Sequence, residues 1–157
     1  MFLQYAKSFP KGFYKMSNNL EYALQELEKG QYTLVLYDGK EIIASKQRGI
    51  APLLDLYKTK KDLSGFSAAD KVIGRAAAFL YILLGIKEIY AKVISETSIE
   101  LLNKNNVKIH YYECCTNIIN RTGTDICPME KSVLDIDEPL VAYKTILNRY
   151  SALNQNN

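Results

Sequence analysis

The chain has no tryptophan, one histidine (His110) and three cysteines (Cys114, Cys115 and Cys127) in 157 residues. An odd number of cysteines without spaced pairs excludes a disulfide framework and fits free thiols in a reducing compartment. Adjacent Cys114 and Cys115 lack the spacing of zinc ligands. His110 and Cys114 share one side of an extended segment, but a lone strand histidine reads more simply as a packed core residue. No metal and no cofactor is therefore expected. Charge of one sign is also scarce: 20 basic and 17 acidic residues leave a dispersed net +3. That argues against a nucleic-acid footprint, which gathers on a basic face. The longest apolar run, AAAFLYILLGI at 76–86, is shorter than the roughly 18 residues a membrane span needs. The opening MFLQYAKSFPKGFYK has neither a continuous apolar segment nor a small-residue cleavage site, so a cytoplasmic location away from membranes is expected.

What is present reads as one α/β domain. SNNLEYALQELEKG, from Ser17, has capping residues in front, leucines at helical spacing, and Gly30 behind, predicting a first helix. Residues 1–15 then form an aromatic arm or extension ahead of a domain at 16–150. YTLVLYDGKEIIAS predicts a hairpin, with strands at 32–37 and 41–45 about Asp38-Gly39. Pro52 is expected at the first position of a short helix, APLLDLYKT. SGFSAADKVIGRAAAFLYILLG, at 64–85, predicts the longest helix, opened by a capping box of Ser67 and Asp70 and closed by Gly85. Gly74 would lie inside that helix at about 1 kcal/mol against alanine, which suggests the close approach of another group. IKEIYAKVI and VKIHYYE predict two strands joined by a helix that Thr97 opens, and hence parallel pairing. A short helix from Pro128 and a last helix after Asp137 complete the domain, with a flexible tail at 151–157. The expected fold is a three-layer α-β-α sandwich about a mixed sheet.

This order of elements resembles the core of the cytidine deaminase-like superfamily. In its zinc deaminases, His-x-Glu opens the long helix and Pro-Cys-x-x-Cys opens the next. The corresponding places here read Ala68-Ala69-Asp70-Lys71 and Ser95-Glu96-Thr97-Ser98, which hold no zinc ligand. Over about residues 18–150 the chain more closely resembles a bacterial family of that superfamily with an assigned fold and no assigned activity. FSAADKVIGRAAA and INRTGTDICPMEKSV carry that resemblance. It implies a deaminase-like fold and a pocket without zinc chemistry.

The candidate site residues are weighed against structural roles. Asp70 and Lys71 would be a charged pair at the pocket mouth; equally, Asp70 caps a helix and Lys71 reaches solvent. Ser95, Glu96 and Thr97 lie where a strand's carboxyl end meets a helix, a place open α/β sheets favour for ligands. Asn120 and Arg121 offer donors on a loop able to cover the pocket. Cys127, ahead of Pro128, would gain thiolate character from a helix N-terminus, opposed by the charges of Asp125 and Glu130; a helix-starting role is the simpler alternative. The expected function is binding of a small polar ligand, nucleotide- or nucleobase-like by fold analogy. The rivals are a metal-free enzyme using Cys127, Lys71 or both, with Asp70, and a homodimeric interaction module built on the apolar long helix or the arm.

Overall fold

The computed structural model describes residues 15–155. The expected N-terminal arm, Lys15 apart, lies outside them.

Helix α1, Asn18–Lys29, starts where Ser17 Oγ accepts the Leu20 N–H at 3.1 Å. Its stripe of Leu20, Ala23, Leu24 and Leu27 is buried, the 3.6-residue period that the sequence displays. The hairpin follows, with β1 at Leu34–Tyr37 antiparallel to β2 at Ile42–Ser45. Its turn is fixed by Asp38, whose Oδ1 accepts the N–H groups of Lys40 and Glu41. Helix α2, Ala51–Lys58, carries Pro52 in its first turn.

The expected long helix over 64–85 is divided. Ser67–Ile73 is a strand, β3, and only Arg75–Leu84 is helical, α3. Ser67 and Asp70 therefore form no capping box. The stretch SAADKVI has neither a strand's alternation nor an apolar run, and its alanines resemble a helix start. Tertiary packing overrides that preference. β3 is the middle strand of the sheet, and Ala68 and Ala69 are both fully buried. Their small side chains let layers pack closely from both sides. Gly74 is the extended residue between strand and helix (φ −93°). A Cβ there would stand 3.2 Å from Ile118 and 3.4 Å from the Glu130 carboxylate, so the expected close approach is real and the helical setting is not. Gly85 ends α3 in the left-handed conformation, at φ 78°, as its sequence position suggests.

β4, Glu88–Ser95, and β5, Lys108–Cys115, flank helix α4, Glu96–Lys104, and pair in parallel. β3 and β4 are also parallel, while β1 runs antiparallel to β3. The sheet is thus mixed and five-stranded, in the order β2-β1-β3-β4-β5. α4 begins one residue before Thr97, with Ser95 at the cap position, so Thr97 does not open it. Helix α5, Pro128–Ser132, is short. Helix α6, Pro139–Gln155, takes in residues 151–155 of the stretch expected to be a flexible tail, and Tyr150 and Leu153 pack against the core.

α1 covers one face of the sheet, against Val35, Ala69 and Tyr90. The other helices cover the opposite face in a larger core centred on α3, which packs against α2, α4 and α6. α3 is therefore largely interior, with Ile82 and Leu83 only partly buried. No helix among the described residues is long and apolar enough to cross a membrane.

Candidate functional site

Because β1 and β3 run in opposite directions, the start of β1 lies beside the carboxyl end of β3, with Leu34 paired to Asp70. Just beyond, the chain turns at Gly74 into α3. A cavity of about 670 Å³ opens at this junction, within the range of small-molecule sites. β3 contributes Asp70, Lys71 and Val72 to its wall, the 118–121 loop contributes Asn120 and Arg121, and Cys127, just ahead of α5, and Glu130 within it complete the polar part. Much of the rest is apolar, including Leu34, Ile50 and Ile118. Val72 is 48 % exposed although its strand is central, an apolar surface that the cavity leaves uncovered.

Asp70 is 9 % exposed. Its Oδ2 accepts the Tyr81 hydroxyl at 2.6 Å and its Oδ1 accepts the Val72 N–H at 3.2 Å. Burial pushes its carboxyl up to about 6, against the opposing pull of those hydrogen bonds. The same burial and the nearby Asp70 charge push the Tyr81 hydroxyl well above its ordinary value. Among the described residues no cation lies within ion-pair distance of Asp70. Lys71 supplies no countercharge, since successive strand residues face opposite sides. The expected charged pair is thus two wall residues with separate surroundings.

Glu130, 1 % exposed, ties three segments together. Oε1 accepts the Arg75 N–H at the start of α3 (3.3 Å) and the Thr97 hydroxyl (3.5 Å), and Oε2 accepts the Ile118 N–H. Beside it, buried Arg75 donates to the carbonyls of Val133 (2.9 Å), Ile136 (2.6 Å) and Thr97 (3.3 Å) and pairs with Asp137 at 3.1 Å. Arg75 holds the segment after α5 against α3 and α4, while Glu130 holds the cavity's inner end. The sequence reading missed Arg75 entirely and treated Glu130 only as a charge near Cys127. One signal was available: Arg75 is the lone charge heading the apolar helix RAAAFLYILL.

The Ser95–Thr97 turn does not line the cavity. Ser95 is fully buried and shares a 2.6 Å hydrogen bond with Ser98, Glu96 is exposed, and Thr97 touches the site only through Glu130. Asn120 uses its side chain on its own loop, with Oδ1 accepting from Thr124 N at 3.0 Å and from the Thr122 hydroxyl at 3.2 Å. Arg121 is exposed at the rim.

Cys127 is half-buried in the wall, and its N–H donates to the Ile118 carbonyl at 2.8 Å. Cys114 and Cys115 lie outside the cavity on β5; burial first, then neighbouring carboxylates, push both thiols up. His110 is core, 3.3 Å from Glu88. Among the described residues no three His, Cys, Asp or Glu side chains gather as a metal site.

The family model for TM1506, a domain of unknown function (DUF1893), matches residues 22–149. A solved structure, the DUF1893 family protein (TM1506) from Thermotoga maritima at 2.70 Å resolution, is 31% identical. The match has a TM-score of 0.80 and covers 91% of this chain and 97% of that one. No curated protein matches the chain. With most of its length matched by sequence and by fold, the chain belongs to the TM1506 family of domains of unknown function (DUF1893).

Proposed function

We propose that the chain is a deaminase-like domain without zinc chemistry, which binds a small polar molecule in the cavity between β3, α3 and the 118–130 segment. The fold analogy rests on the hairpin followed by three parallel strands joined through helices. The place matching the deaminases' first motif is the start of α3, hence Gly74-Arg75-Ala76 and not Ala68–Lys71. The second remains Ser95–Ser98 at the start of α4. Neither offers an imidazole or a thiolate, so these residues do not fit zinc. Glu130 bridges the two helix starts, which are joined here by a carboxylate's hydrogen bonds.

The observation that carries the reading is Asp70: a buried carboxylate without a cation, in the wall of a cavity. Such groups concentrate where a ligand completes the electrostatics. A thermal-shift titration at pH 7.5 with nucleobases, nucleosides and nucleotides tests it. A ligand at a hundred times its Kd stabilises by about 2.7 kcal/mol, a rise of roughly 5–10 °C in Tm. Val72→Trp, which fills the cavity, removes the shift. A shift of the same size in that variant contradicts the assignment of the site.

A metal-free enzyme is the second reading, favoured by Cys127 and Lys71 lining the same cavity. It requires a reactive thiol or amine there, whereas a binding domain shows ligand-dependent stabilisation with neither.

A further inference from the structure

Apart from Lys71, which is half-buried on β3 and in no ion pair with Asp70, the charges around the cavity are sorted by depth. Asp70 and Glu130 are the buried ones, and the oxygens of Glu130 are engaged by donors from α3, Ile118 and Thr97. Arg48 and Arg121 line the same cavity but are exposed, and among the described residues neither is in an ion pair. Between the two ends the wall is largely apolar, through Leu34, Ile50, Val72 and Ile118. An anion driven to the bottom meets two carboxylates, and a cation held at the mouth meets two guanidinium groups.

We propose, building on the ligand-site reading above, that the cavity takes an amphoteric molecule with an apolar or ring-shaped body. Its cationic or N–H-rich head, an amidinium or an amino-substituted ring nitrogen, lies against Asp70, and its anionic end lies at Arg48 and Arg121. Asp70 is the specificity-determining residue. Two of its lone-pair directions are taken by Tyr81 and Val72, which fixes the carboxylate plane and leaves the remainder for the ligand. A planar donor pair suits it, since paired N–H groups bind a carboxylate in two parallel hydrogen bonds. The raised proton affinity of Asp70 has the same origin, a buried negative charge lacking its partner. An incoming cation lowers that proton affinity.

Three probes of one shape separate the possibilities: benzamidine, benzoate and 4-amidinobenzoate, titrated at pH 7.5 while methyl NMR follows Val72 and Ile118. The expected order is 4-amidinobenzoate tightest, benzamidine next and benzoate weakest, with steps of about tenfold for each charge-assisted contact. Asp70→Asn weakens benzamidine by about tenfold or more. Arg121→Ala combined with Arg48→Ala, both at exposed positions, removes the advantage of 4-amidinobenzoate over benzamidine and does not weaken benzamidine. Benzoate binding as tightly as benzamidine, or benzamidine indifferent to Asp70→Asn, overturns the charge assignment while the ligand site stands. No methyl shift from any of the three overturns this proposal, and the ligand site itself is then judged by the thermal-shift titration above.

Discussion

Tyr81 Oη donates to Asp70 Oδ2 at 2.6 Å, joining the middle of α3 to the central strand beneath it. The bond orients a carboxylate that burial pushes up to about 6, so Asp70 titrates differently in the folded and unfolded chain. The folded carboxyl keeps its proton to about pH 6, whereas the unfolded one releases it near 3.9. Between those values the native state binds more protons. Stability from this group is therefore complete below about pH 4 and lost as pH rises to about 6, by about 3 kcal/mol in all. Glu88 and Asp125, whose carboxyls are held low, act in the opposite sense, losing stability as pH falls. Both groups persist in Asp70→Asn. The Tm of wild type minus that of Asp70→Asn should fall between pH 4 and 6.5, and a difference constant across that window contradicts the assignment.

Glu130→Ala leaves the N–H groups of Arg75 and Ile118 without their buried acceptor. The expected loss is about 3 kcal/mol, read from urea unfolding at neutral pH. A change under about 0.5 kcal/mol, the size of an ordinary surface substitution, shows that Glu130 does not hold the cavity's inner end.

Arg75→Lys keeps the charge and removes the planar fork that reaches Val133, Ile136, Thr97 and Asp137 together. A loss of about 2 kcal/mol is expected, with faster hydrogen exchange in residues 133–138. Unchanged exchange there assigns the arginine to simple packing.

Much of this architecture is legible from one sequence. Ser17, the leucine stripe and Gly30 announce α1, Asp38-Gly39 announces the hairpin, and the helix between two β-rich runs requires β4 and β5 to be parallel. β3 is hidden because a strand enclosed on both faces by tight packing needs small residues, and Ala68-Ala69 then resembles a helix. Asp70 and Lys71 were legible as candidates although the helix assigned to them was not; both line the cavity from a strand. Ser95 and Thr97 drew attention at a strand-to-helix turn, where buried hydroxyl pairing explains Ser95. The hidden pair, Arg75 and Glu130, works through backbone groups far along the chain, with Arg75 N and Glu130 separated by 55 positions. No local pattern encodes such contacts.

Cys127 lies in the cavity wall and Cys114 outside it on an exposed part of β5. Filling the cavity with Val72→Trp should slow iodoacetamide modification of Cys127 about tenfold or more, in keeping with lost access, and leave Cys114 unchanged. Peptide mapping reads both rates in one sample. Equal slowing at both thiols, or at neither, removes Cys127 from the site.

Ligand binding in the cavity is tested most directly by native mass spectrometry of the protein as purified, with Val72→Trp prepared in parallel. The expected result is a small-molecule adduct on the wild-type chain that is absent from the variant, its mass identifying an amphoteric compound after gentle denaturation. An adduct of equal occupancy on both proteins, or bare protein in both preparations together with no thermal shift from any nucleobase, nucleoside or nucleotide, contradicts a ligand site between β3 and α3.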